Sequence, residues 1–188
     1  MSRKPGYLIG TVLLLAAVTA WASRYSDTVS LFKNAGQSGA FFQNCYGYAV
    51  FPTIGKGGFV VGGAHGNGRV YARGKYVGDT SVTQVSVGFQ AGGQAYSQIV
   101  FFEDQRAYEE FTKGDFEFGA DASAVAITAA AGGSVGTSGA SSDASGGMKD
   151  AHTAGKYYKG LAVFTIVKGG AMYQATVAGQ KFSFTPKE

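Results

Sequence analysis

Residues 47–71 read GYAVFPTIGKGGFVVGGAHGNGRVY, and the fold class turns on them. The stretch opens with Tyr48-Ala49-Val50-Phe51, and Pro52 is expected to break this first apolar run. A Lys56-Gly57-Gly58 step then leads into a second run, Phe59-Val60-Val61. Short runs rich in Val, Phe and Tyr, bounded by Gly and Pro, are strand signals. Asn67-Gly68, between Val61 and Arg69-Val70-Tyr71, predicts a type I′ hairpin, a turn that needs positive φ at both central positions.

Upstream, residues 1–22 read as a signal peptide. Arg3 and Lys4 give a positive start, Tyr7 to Ala20 an apolar run, and Ala20-Trp21-Ala22 a small-x-small cleavage site. The alternative is a retained N-terminal anchor, although the run is short for a span of about 20 residues. Residues 23–188 are then one exported domain. Without Arg3 and Lys4 the 16 basic residues become 14 against 12 acidic ones, so the net charge falls from +4 to +2. That is too small an excess for bulk nucleic-acid binding. A single cysteine, Cys45, leaves no intramolecular disulfide framework.

Before the central stretch, Ser26-Asp27 is placed to cap a helix with Val29, Leu31, Phe32 and Ala35 inward. Gly36 is placed to end it, and Ser38 to start a short second helix running to about Asn44. After it, Arg73-Gly74-Lys75 reads as a turn, and Ser81–Phe89 and Gln94–Phe102 as strands. Asp104 caps a helix over Gln105–Lys113 that Gly114 closes, with Ala107, Tyr108 and Phe111 inward and a Glu109–Lys113 pair outward. Phe116 to Ala131 reads as extended, Gly132 to Gly147 as a Gly/Ser-rich loop, and Leu161–Val167, Ala171–Val177 and Lys181–Thr185 as strands. An echo is visible: Gly47-Tyr48-Ala49-Val50-Phe51 with Lys56-Gly57-Gly58 recurs as Gly160-Leu161-Ala162-Val163-Phe164 with Lys168-Gly169-Gly170. It suggests two similar hairpin units facing each other across one core, or strand-turn grammar arrived at twice.

Catalytic signals are poor. Gly132-Gly133-Ser134-Val135-Gly136 fits G-x-S-x-G, with Asp143 or Asp150 and His152 following, but a nucleophile elbow needs a helix after the serine. The residues that follow, Thr137-Ser138-Gly139-Ala140, form helices badly. His65, His152 and Cys45 lack zinc-ligand spacing, so no metal site is expected. Lys56-Gly57-Gly58 lacks the P-loop frame. The chain reads as a non-enzyme without a cofactor.

AVFP, KGGF and the glycine-rich run after it, together with Gly88-Phe89-Gln90-Ala91-Gly92-Gly93-Gln94, Gly119-Ala120-Asp121-Ala122-Ser123 and Lys159-Gly160-Leu161, resemble the SYLF lipid-binding domain family in its bacterial secreted branch. The resemblance spans nearly all of the chain after residue 23. It implies phospholipid or phosphoinositide binding, and actin binding is a property of some yeast relatives.

Charge suggests where such a ligand would sit. Lys56, Arg69, Arg73 and Lys75 face Asp79 alone between Tyr46 and Phe102, whereas seven acids crowd Glu103 to Asp121. A headgroup site is therefore expected at Lys56, Gly57, Gly58, Arg69, Arg73, Lys75, Lys168, Gly169 and Gly170. The two lysines would stand at equivalent places, beside glycine amides able to form an anion nest. The expected fold is α+β, a strongly bent antiparallel sheet or sandwich with two or three packed helices. The expected function is binding of anionic phospholipid or phosphoinositide at a bacterial envelope membrane, periplasmic or peripheral. An envelope protein-interaction module and a small outer-membrane β-barrel are the alternatives.

Overall fold

The computed structural model describes residues 23–58, 61–87, 93–119, 124–129, 135–136, 156–169, 177 and 179–188. The described part of helix α1 covers 23–34 and is followed by two single turns, α2 (Gly36–Gly39) and α3 (Phe41–Asn44). Strands β1 (Gly47–Gly58), β2 (Val61–Ala72), β3 (Lys75–Val87) and β4 (Gln94–Phe102) form a meander, and α4 (Gln105–Thr112) follows. Then come β5 (Val125–Ala129), β6 (Val135–Gly136), β7 (Leu161–Gly169) and β8 (Gln180–Pro186).

Among the described residues eight strands lie in one sheet, in the order β6-β5-β7-β4-β1-β2-β3-β8. The six from β7 to β8 are antiparallel throughout, and β5 adds to β7 in parallel. The order is open, with β6 and β8 at its ends, so the α+β expectation stands and the closed-barrel alternative does not. Segment 116–118 covers the β8 edge: Phe118 N donates to Gln180 O at 3.0 Å and Phe182 N to Phe116 O at 2.8 Å.

Both faces of the sheet are buried where helices cover them. Residues two apart on a strand share a face. Ala49, Phe51, Ile54, Val70, Val82, Val100 and Phe182 meet Ala107 and Phe111 of α4 on one face. Val50, Ile99, Phe101, Phe164 and Ile166 meet Tyr25, Phe32 and Ala35 on the other. Burying a side chain such as Phe32, which has no exposed surface, contributes about 1.5–3 kcal/mol. The α1 stripe is Tyr25, Thr28, Phe32 and Ala35, at helical spacing. Leu31, expected inward, is 38% exposed because it falls outside that stripe.

The α4-covered face is concave. Gln98 of β4 and Gln180 of β8 are fully buried and exchange amide hydrogen bonds of 2.8 and 3.2 Å, and Gln180 Nε2 donates to Tyr96 Oη at 3.1 Å. Four strand steps separate β4 from β8, about 19 Å in a flat sheet. Direct side-chain contact across that interval requires the sheet to curl, as the expected strong bend demands. α4 follows its sequence signals: Asp104 Oδ1 accepts from Ala107 N at 2.8 Å, and Gly114 takes φ +93° after Lys113. Glu109 is engaged by Gln105 at 2.7 Å rather than by Lys113.

The central stretch needs three corrections. β1 runs through Pro52, because a bulge there absorbs the missing amide donor. Lys56-Gly57-Gly58 is the end of β1 and not a step between strands. Asn67-Gly68 lies inside β2, opposite Ser81 and Thr80, and the turn is Arg73-Gly74, with φ of +50° and +76°. Gly68 serves close packing instead: a Cβ there would come within 2.6 Å of the Phe51 ring. Gly36, expected to end the first helix, opens α2. The candidate elbow at Ser134, with Asp143, Asp150 and His152, lies outside the described residues, and Val135-Gly136 after it form strand β6.

The close approach at Gly68 gives a test by contrast. Gly68→Val is expected to lower stability by about 1–3 kcal/mol through overpacking. Gly57→Ala, where a Cβ meets nothing within 4 Å, is expected to be tolerated; urea midpoints measure both. Alkaline unfolding gives a second test. Burial pushes Tyr96 and Tyr48 up to about 12 from 10.0. The native state then holds protons that the unfolded chain has lost, so stability is full below about pH 10 and falls on the way to about pH 12. Tyr96→Phe should flatten that slope in urea titrations across this range.

Candidate functional site

The echoed strands determine where the candidate cations go. β1 and β7 do not form two units facing across a core; they run side by side with β4, as its two antiparallel neighbours. Val50 and Phe164 both stand opposite Ile99, whereas the sequence echo aligns Val50 with Val163. The repeat is therefore one residue out of step with the spatial register, and a one-residue slip moves every side chain to the other face. Phe51 accordingly packs under α4 and Phe164 under α1.

The lysines inherit this offset. Lys56 is two residues beyond Ile54 and opposite Ala64, both in the α4-side cluster, so it shares their face. Lys168 is the extra residue of a second bulge, between Val167 opposite Tyr96 and Gly169 opposite Ala95. Its Nζ donates to Thr53 Oγ1 at 3.3 Å, across β4, on the α1 side. Thr53 is held there by the first bulge, where it pairs with Asn67 and where Pro52 O accepts from Ser97 Oγ at 2.7 Å. Lys168 is exposed as a residue, yet partial burial of its amine lowers its pKa, and the positive charge of Arg24 on α1 lowers it further.

The remaining candidates are spread out. Arg69, midway along β2 on the α1 side, is clamped between the rings of Tyr25 at 4.4 Å and Tyr76 at 5.0 Å. Its Nε is 3.6 Å from Asp79 Oδ1, and this buried nitrogen has no hydrogen-bond partner. Its charge is committed to holding α1 on the sheet. Arg73 lies over Tyr46 at 5.0 Å, at the turn that also carries Lys75. Tyr46 precedes β1, so that turn and Lys56 stand at opposite ends of the strand, about 30 Å apart. Gly57 and Gly58 pair with Gly63 and Gly62 in an extended ladder, not in the alternating conformation a nest needs. Gly169 ends β7, and Gly170 lies outside the described residues.

The structure thus joins Lys168 with Thr53, and separates it from Lys56, Arg73 and Lys75. Thr53 went unrecognised in the sequence, where neither bulge leaves a signal beyond Pro52. Among the described residues no three His, Cys, Asp or Glu side chains group as metal ligands.

Comparison with known proteins matches the sequence to a family. The family model described as "Las17-binding protein actin regulator", Ysc84, matches residues 83–186, from the second half of β3 through β8. The chain belongs to the Ysc84 (SYLF) family. Beta cell expansion factor A of Aeromonas veronii is similar to it, with 25% identity over 158 residues, 82% of this chain and 51% of that protein. The chain thus spans about half the length of this relative. SYLF membership accounts for a domain built for binding, and the match takes in β7 with Lys168 while β1 and β2 precede it.

The Arg69 clamp is testable. Arg69→Met and Tyr25→Leu should each lower stability, and a double-mutant cycle should show a coupling of about 0.5–2 kcal/mol, the range for partly desolvated cation–π pairs. Strict additivity in urea melts would contradict the clamp.

Proposed function

We propose that this SYLF domain is a non-enzymatic, peripheral binder of anionic phospholipid at the surface of a bacterial envelope membrane. One observation carries the reading. The end of the sheet where β1 and β7 finish bears Lys56 and Lys168, and the charge of Arg24 on α1 acts on the Lys168 amine. The carboxylates of Glu103, Asp104, Glu109 and Glu110 follow Phe102, at the opposite end. Retained as an anchor, the apolar Tyr7–Ala20 run would tether the chain a few residues ahead of Arg24 at the start of α1. Export by that run would place the domain in the periplasm, where a membrane surface and not actin is the available partner.

Exposed cations attract anionic headgroups over a distance set by the Debye length, about 30 Å at 0.01 M salt and about 3 Å at 1 M. Co-sedimentation with phosphatidylcholine vesicles is expected to rise as phosphatidylglycerol is added and to fall as salt increases. Equal sedimentation with pure phosphatidylcholine, or binding indifferent to salt, would contradict the reading.

A further inference from the structure

Thr165 breaks the apolar pattern of β7 on the concave face. It is 1% exposed, and its Oγ1 is buried with no hydrogen-bond partner in the protein. Val163 and Val167, two residues away on the same face, are apolar, and the residue in register with Thr165 on β5 is Ala126. Its partner on β4 is Gln98, the one polar residue among these four. Directly opposed residues hold their Cβ atoms about 4.5–5.5 Å apart. The Gln98 amide nevertheless turns across the concavity to Gln180, giving one Nε2 hydrogen at 2.8 Å and taking one hydrogen bond on Oε1 at 3.2 Å. A side-chain amide has two donors and two acceptor sites, so half of the capacity of Gln98 is left.

We propose that Thr165 and Gln98 form a buried binding site for one uncharged, hydrogen-bonding oxygen, taken as that of a water molecule. A buried hydroxyl without a partner is costly, and internal waters settle where such groups converge, making about three hydrogen bonds each. An oxygen that accepts from the remaining Gln98 N–H and shares a hydrogen bond with the Thr165 hydroxyl satisfies both. The occupant is uncharged because, among the described residues, no Lys, Arg, Asp or Glu is buried to neutralise an ion there. Its position ties β7 to the chain of hydrogen bonds from Gln98 through Gln180 to Tyr96, so β7, β4 and β8 share one polar network on the concave side.

Crystallography of the full chain, with water itself as the probe, is the test. Wild-type density is expected to show one ordered peak about 2.7–3.2 Å from both Thr165 Oγ1 and a Gln98 side-chain atom. Thr165→Val keeps the side-chain shape and removes the hydroxyl. The peak should then vanish, and the folding constant from urea unfolding should fall about fivefold, the contribution of one net hydrogen bond. Thr165→Ser keeps the hydroxyl and should retain the peak, which separates loss of the water from loss of packing. A wild type without the peak, together with a Thr165→Val protein more stable than it, would mean that the hydroxyl stays dry and would overturn the site. A direct hydrogen bond between Thr165 and Gln98 would overturn it as well. Density extending beyond one atom would keep the oxygen site but give it to a bound organic molecule, which overturns water as the occupant.

Discussion

A single sheet with both faces in use depends on the phase of each strand. β4 supplies Val100 and Phe102 to one core and Ile99 and Phe101 to the other, so its neighbours must match it residue by residue. The bulges at Pro52-Thr53 and at Lys168 are the places where that phase is reset. Before them β1 and β7 bury side chains on both faces, and beyond them the same strands present Thr53, Lys56 and Lys168 to solvent or to partial burial. The proposed binding end of the molecule therefore begins where the two-sided core stops.

The curl of the sheet has a different origin. Gln98, Gln180 and Tyr96 are polar groups in an apolar interior, and a buried amide is costly unless paired. They pair with one another across the concavity, which favours curled arrangements that bring β8 over β4 and disfavours flat ones. The convex face needs a cover where it passes under β7, β4 and β1. α1 supplies it with Tyr25, Phe32 and Ala35 and is fastened by Arg69 between two tyrosine rings. One arginine expected to meet a ligand thus has a structural duty.

Much of this architecture could be read from residues. The apolar run that ends Gln94–Phe102, the Asp104 cap, the Gly114 stop and the Arg73-Gly74 turn each have a local cause and appear as expected. Asn67-Gly68 misled because its glycine answers a long-range demand, the Phe51 ring, that no local rule contains. The parallel pairing of β5 with β7 was likewise invisible, since partner and direction are set by the whole sheet. The echo of β1 in β7 is real as sequence, yet it misplaced a lysine. Equivalence along the chain becomes equivalence in space only when the register agrees, and here it is off by one. Lys168 was legible as a candidate from its Gly-Gly neighbours; Thr53, brought to it by the two bulges, was not.

Nuclear Overhauser contacts in the uniformly labelled protein test the phase of these strands most directly. The account predicts cross-peaks from the Lys168 ε-methylene to the Thr53 γ-methyl, with Phe164 and Val50 both contacting Ile99. Contacts of Lys168 with Lys56 or with the Ala64 methyl, which would place both lysines on one face, would contradict it.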